Sequence, residues 1–492
     1  MFDGPEHTTH ISPLELLHPR GWAKRTCLLG DGCPVVLAPK GHTDVAMADL
    51  CIIAPTRAQC REPGWLARAV DVAANISADG VVYVLAPRRW RIQLARQLRA
   101  RGLELRLRVG HLPIEAPERW LVPLVAAPAA HALGTLIPSR PLRRALVLWL
   151  LAIPGGAALL AALLPWAGFL FQRTDARPCF NWCASQSGRQ SAIIRTSVRA
   201  THATAVLHTF TAHEQQPSAV LKLALEDAFD QRIVVEAAIM QRLRPSVERS
   251  GASMARTELR TMPDGRPVLR QTALRGQPLA LLLGAQPART NEIMVRVAGW
   301  LERWNQDTAQ PHTLNRAWLE REVLVPLAQL PLLPDHAAYH HRLAAYCEQL
   351  AGRTVPLVAA HNDLTMWNVL IDRTGLQIVD WEAARLAALP LTDFVYAVVD
   401  ITAAPDGYSD RLAAFHTCFT VNSTHATLVA RLVGQFCRVL GLEQDFAQIC
   451  FHACWLHHAA HEHSECDGLE PGPFEQIVTW LAQHPDYQLE LG

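Results

Sequence analysis

Residues 357–382 read LVAAHNDLTMWNVLIDRTGLQIVDWE, and the fold is decided by how this stretch is read. Apolar Val355–Ala360 runs into His361-Asn362-Asp363, and Asn368 follows five residues after Asp363. Val369–Ile371 and Leu376–Val379 then read as two short strands around Asp372-Arg373-Thr374-Gly375, a composition that favours a hairpin turn. Closing that turn pairs Ile371 with Leu376, and the continued register sets Asn368 opposite Val379, beside Asp380. An amide oxygen and a carboxylate, twelve residues apart in the chain, thus meet at one hairpin mouth. Hard oxygen donors in that arrangement suit Mg²⁺, which commonly takes one or two carboxylates and completes its shell with substrate phosphates. Asp363, on the loop entering the mouth, is placed to accept a proton from a substrate hydroxyl. The bland alternative is an ordinary surface turn, since Asn and Asp are common at hairpin ends.

The series His361-x-Asp363, then Asn368, then Asp380 after a hydrophobic strand, resembles the catalytic core of the aminoglycoside phosphotransferase and choline kinase family. That family shares the protein-kinase-like fold. The resemblance implies that Asp363 is the catalytic base, that Asn368 and Asp380 hold Mg²⁺, and that His361 braces the catalytic loop. Asp393, in PLTDF, matches a family Asp that fixes the loop from below. The fold also calls for a strand-borne lysine on the ATP phosphates and a helix-borne glutamate paired with it. Lys222 in AVLKLA and Glu236 in VVEAAIMQRL, fourteen residues later, match these positions. Only Lys24, Lys40 and Lys222 are lysines among 46 basic residues, so the one ammonium group beyond residue 40 falls where a compact point charge is required. Gln271-Thr272-Ala273 resembles the hinge whose backbone meets adenine.

Two positions depart from the family pattern. Asn362 stands where Gly is usual, and Asn tolerates left-handed backbone better than most residues. The turn expected to cover the nucleotide, Ser197–Thr204, has no glycine, which makes close backbone approach to phosphates harder.

Outward from this core, the chain has 492 residues, half of them hydrophobic, with a formal net charge of +1. Such a chain holds several buried cores and is neither disordered nor a general nucleic-acid binder, which would need a basic face. The opening MFDGPEHTTH lacks the pattern of a secretory signal, and the scattered cysteines, with no CxxC pair, read as reduced thiols. A cytoplasmic location is expected, with membrane association as an alternative.

Pro34–Pro39, Leu50–Pro55 and Gly80–Pro87 read as buried strands, and Trp65–Ile76 and Trp90–Arg101 as helices, an α/β pattern predicting a parallel sheet. The order resembles the second half of a class I methyltransferase domain. Its one candidate for a ligand-binding glycine turn is Gly30-Asp31-Gly32. From Ala145 to Phe171 no residue is charged, long enough to span a bilayer. Pro154-Gly155-Gly156 and Pro165 oppose a straight span and favour a helical hairpin, lying in a membrane interface or packed on a core. Ala192–Val198, Thr204–Ala212, Ala219–Leu225 and Val268–Ala273 read as strands. Asp230–Leu243, Val295–Thr308 and Ala337–Ala351 read as helices.

The expected fold class is an α/β N-terminal domain plus an α+β protein-kinase-like bilobal domain. Its segments are 1–130 (a shortened methyltransferase-like scaffold), 131–177 (an apolar linker or hairpin), 178–275 (N-lobe) and 276–492 (C-lobe). The expected activity is ATP- and Mg²⁺-dependent transfer of the γ-phosphoryl group to a hydroxyl of a sugar, amino sugar or amino alcohol. Alternatives are a non-catalytic scaffold in membrane-associated polysaccharide metabolism, and methyl transfer by the N-terminal domain. Cys450, Cys454, His457, His458, His461, His463 and Cys466, like Cys179 and Cys183, have spacings that a helix bearing polar residues explains better than structural zinc.

Overall fold

The computed structural model describes residues 14–19, 23, 25–33, 48–112, 120–137, 141–165, 167–177, 190–199, 202–211, 214–262, 264–330, 335–465 and 471–492. Its contacts divide the chain into two units, Met1–Ala237 with Thr257–Ala273, and Ala238–Arg256 with Leu274–Gly492.

The strands, in chain order, begin with β1 (Thr26–Leu29), β2 (Leu50–Ile53), β3 (Val81–Val84), β4 (Leu103–Leu112), β5 (Trp120–Pro123) and β6 (Ala167–Arg173). They continue with β7 (Gln190–Arg199), β8 (His202–Thr211), β9 (Ala219–Ala224), β10 (Ala252–Met254), β11 (Thr257–Thr261) and β12 (Pro267–Thr272). All but β10 join one eleven-stranded sheet of the first unit, ordered β1-β2-β3-β6-β4-β5-β7-β8-β9-β12-β11. This sheet runs through three of the four segments read from the sequence.

The parallel sheet expected from the N-terminal pattern holds for β1, β2 and β3. From β3 onward every pairing within this sheet is antiparallel. The helices Trp65–Ala73 and Arg88–Ala100 bury Leu66, Ala69, Val70, Leu94 and Leu98, the i, i+3, i+4 stripe of a helix facing a sheet. The strand expected at Pro34–Pro39 lies outside the described residues.

The charge-free run 145–171 splits in two. Helices Pro141–Ala152 and Gly156–Leu163 flank a turn at 153–155, as expected for a hairpin. Ala167–Phe171, however, belongs to β6, a strand paired on both sides, with β3 and with β4. Hydropathy does not separate a bilayer segment from a doubly covered strand, because both environments exclude water. Gly168 marks the difference: a Cβ there would lie 1.8 Å from the Tyr83 hydroxyl of β3. Among the described residues, no helix is long and apolar enough to cross a membrane.

The second unit is mostly helical and carries two small sheets. Its further strands are β13 (Gln277–Pro278), β14 (Gln310–Thr313), β15 (Thr354–Ala360), β16 (Val369–Ile371), β17 (Leu376–Ile378) and β18 (Arg385–Ala388). They assemble as β10-β17-β16-β13 and β14-β15-β18. Trp300, Trp304, Trp381 and Trp455 are fully buried and serve as core. Trp300 stacks on Trp304, whose ring meets Trp381 edge-on. The indole N–H of Trp304 donates to Ser246 Oγ at 3.1 Å, tying in the C-terminal half of the helix Asp230–Arg249.

Candidate active site

The second unit holds the acidic hairpin in the register read from its turn. Ile371 faces Leu376 and Val369 faces Ile378; Asp372 N–H donates to Gly375 O at 3.1 Å and Val379 N–H to Asn368 O at 3.0 Å. The last of these places Asp380 beside Asn368 along the ladder. Asp380 adopts φ +63°, a left-handed conformation uncommon for a residue with a Cβ.

The loop from Ala360 to Asn368 is held by side chains. Asn368 Nδ2 donates to Asp363 Oδ2 at 3.0 Å and to the Asp363 carbonyl at 2.9 Å. With its nitrogen so committed, the Asn368 amide turns its oxygen away, free to serve as a cation ligand. Burial raises the Asp363 carboxyl, and the negative charges of Asp380, Asp400 and Glu382 raise it further, to about 7, against the hydrogen bond from Asn368. His361 is fully buried, with Nε2 donating to Val379 O at 3.0 Å and its ring against Trp381. Burial lowers its pKa in spite of Asp393 and Asp380, which favours the neutral imidazole of a structural brace.

Asp393 accepts the backbone N–H of His361 at 2.6 Å and that of Asn362 at 2.8 Å. Asn362 has φ +60°, the conformation for which Asn substitutes tolerably for Gly, and its Nδ2 donates to Ala383 O. Sequence reasoning missed Asp400. Its Oδ2 accepts the Met366 N–H at 2.6 Å and the Tyr408 hydroxyl, while Oδ1 accepts from Arg411 at 2.9 Å. Its seven-residue spacing from Asp393 in the otherwise apolar helix Thr392–Ala403 is the available signal.

In the first unit, Lys222 lies on β9 between β8 and β12, facing Val206 and Leu269. Its Nζ is 3.0 Å from Glu236 Oε2, and both side chains are buried. Gln271 and Thr272 end β12, and the boundary between the two units falls between Ala273 and Leu274, at the segment expected to be a hinge. The hairpin of β7 and β8 closes with Arg199 opposite His202; Ala200 and Thr201, in the glycine-free turn, lie outside the described residues.

The donor set fits the groups the sequence implies. An amide oxygen and a carboxylate beside a buried carboxyl suit a hard divalent cation that also takes phosphate oxygens. A buried ammonium fixed by a carboxylate suits phosphate.

Cys450, Cys454, His457, His458, His461 and His463 lie on the helix Gln444–Glu465. Cys454 Sγ donates to Thr392 O, His463 bonds Glu475, His457 lies 3.5 Å from Glu322, and His458 stacks on Tyr396. Among the described residues no group of three or more such side chains is arranged to hold a metal. Cys466, Cys179 and Cys183 lie outside them.

Residues 205–425 match the model of the phosphotransferase enzyme family, APH. The matched segment is less than half of the 492 residues, and the family it matches is one of phosphotransferases. Solved structures similar to the chain include the GDP and kanamycin complex of the phosphotransferase APH(2")-IIIa, at 13% identity over 60% of this chain and 94% of that one, TM-score 0.36. A glucosamine kinase is similar at 12% identity over 59% and 94%, TM-score 0.33. A choline/ethanolamine kinase family protein from Mesorhizobium loti is similar at 13% identity over 58% and 86%, TM-score 0.34. No curated protein matches the sequence.

Proposed function

We propose that the protein transfers the γ-phosphoryl group of ATP to a hydroxyl of a small molecule, a sugar, amino sugar or amino alcohol. The observation that carries this reading is the Asn368–Asp363 hydrogen bond, which fixes a carboxyl titrating near neutrality on a loop braced by Asp393. Asp363 orients the acceptor hydroxyl and takes its proton as the new O–P bond forms, and the nucleoside diphosphate leaves with the electrons of the broken O–P bond. Lys222, oriented by Glu236, binds phosphate oxygens, and the backbone of Gln271, Thr272 and Ala273 receives adenine. Asn368 Oδ1 and Asp380 are the ligands for Mg²⁺, which when bound neutralises phosphate charge. Positioning and charge complementarity supply most of the rate in such a site.

The test is nucleotide consumption by the full chain against a panel of hydroxylated acceptors, with Asp380→Asn as the blank. Turnover that falls by about 10²- to 10⁴-fold in Asp363→Ala supports the proposal. A wild type that binds nucleotide but consumes none with any acceptor would establish the scaffold reading instead.

For residues 1–130 we propose a scaffolding role. At the Gly30-Asp31-Gly32 turn, added Cβ atoms would lie 2.7 Å from Ala54 O and 2.8 Å from Pro55 O, so the chain itself packs where a ligand would approach. Gln59 closes the turn, accepting the Asp31 N–H and donating to the Asp31 carboxylate. S-adenosylmethionine binding to the full chain would overturn this role.

A further inference from the structure

The hairpin Pro141–Leu163 is apolar on the face it turns outward as well as on the face it buries. Leu150, Leu160 and Ala161 pack into the core with Phe169 and Phe171 of β6. On the other side of the first helix, Leu142, Leu146, Trp149 and Ile153, spaced by four, three and four residues, are solvent-facing, with Leu142 86% and Trp149 60% exposed. Leu159 and Leu163 continue this surface on the second helix. A surface helix normally presents polar residues to water, and a contiguous apolar patch of this kind marks an interaction site.

Charge indicates what covers it. No Asp or Glu occurs from Arg119 to Thr174, whereas Arg140 precedes the hairpin, Arg143 and Arg144 lie in the first turn of its first helix, and Arg173 follows it. The helix Arg88–Ala100 contains no acidic residue and exposes Arg89, Ile92, Arg96 and Arg99 at helical spacing. It is locked to the end of the hairpin by Arg91. This buried guanidinium donates to Ala86 O, to Ala161 O and Leu164 O at 2.8 Å each, and to Pro165 O. An outward apolar face with Trp, beside an arginine stripe, is the composition of a helix lying in the plane of an anionic bilayer surface.

We propose that the hairpin Pro141–Leu163, with the arginine face of Arg88–Ala100, docks the protein on the surface of a membrane containing anionic lipid. The face enters the headgroup region without crossing the bilayer, because Leu150 and Leu160 hold the opposite side of the hairpin to the protein core. The inference is independent of the phosphotransferase reading.

Co-sedimentation of the full chain with vesicles of equal parts phosphatidylcholine and phosphatidylglycerol tests it, with phosphatidylcholine vesicles alongside. The expected result is binding to the mixed vesicles that weakens in high salt, and a fall of about tenfold or more in Leu146→Glu/Trp149→Glu. Arg89→Glu/Arg96→Glu should bind mixed vesicles no better than neutral ones. Both variants should unfold at the wild-type temperature, and the milder Leu142→Ser/Leu159→Ser replaces the first if it does not. Wild type that leaves mixed vesicles unbound, or binding unchanged by the apolar substitutions, would overturn the proposal. So would a wild-type dimer that Leu146→Glu/Trp149→Glu converts to monomer without any vesicle binding, since the face would then join two copies.

Discussion

Asp393 and Asp400, seven residues apart on the helix Thr392–Ala403, both turn their carboxylates onto the backbone of a single loop. Asp393 takes the N–H groups of His361 and Asn362, and Asp400 that of Met366. Between those points lies Asp363. Burial raises both clamping carboxyls; their hydrogen bonds, with His361 beside Asp393 and Arg411 beside Asp400, oppose it.

Removing one clamp leaves buried donors without partners. Asp393→Ala should destabilise the chain by about 3 kcal/mol, as two N–H groups lose their acceptor. Asp393→Asn, which keeps one acceptor oxygen, should cost less. Urea unfolding measures both, and a lowered kcat with little change in nucleotide KM in Asp393→Asn would mark a positioning role.

The Lys222–Glu236 pair separates stability from chemistry. Lys222→Ala strands a buried carboxylate and should cost about 3–5 kcal/mol in denaturant unfolding. Lys222→Met combined with Glu236→Leu should recover most of that stability, yet leave nucleotide consumption at background. Lys222→Arg should not restore activity, because a planar guanidinium does not replace a compact ammonium.

A third test concerns pH. Burial alone would raise the Glu322 carboxyl, but the hydrogen bond from His457, the charges of Arg385 and His457, and the bond from Arg321 hold it at about 2. A depressed folded pKa contributes stability that is complete above the ordinary glutamate range and lost as pH falls towards 2. Glu322→Gln should therefore be less stable than wild type by about 2 kcal/mol at neutral pH, the gap closing progressively below pH ~4.5. Thermal unfolding across that range checks it.

Gly168→Ala should destabilise the first unit by about 1–3 kcal/mol, because its methyl group would overlap the Tyr83 hydroxyl. Adding Tyr83→Phe should return part of the loss. Equal unfolding temperatures for wild type and Gly168→Ala would contradict the placement of β6 against β3.

Separating the segments read from sequence has a predictable cost. β7 pairs with β5 through Trp120–Arg195 and Leu121–Ile194, so residues 178–492 alone would present an unpaired strand edge. That fragment should aggregate in light-scattering measurements under conditions where the full chain does not.

The sequence by itself determined what rests on neighbours along the chain: the hairpin register around Asp372–Gly375, the elements carrying Lys222 and Glu236, and the left-handed tolerance of Asn362. Turn chemistry and residue periodicity are local, so a linear reading reaches them. Tertiary structure decided that Ala167–Phe171 is a strand between β3 and β4, that the sheet turns antiparallel after β3, and that Asp400 reaches Met366. Each of these depends on which groups fill space or satisfy hydrogen bonds across long chain separations, and an apolar run or a lone helical carboxylate carries no mark of its distant partner.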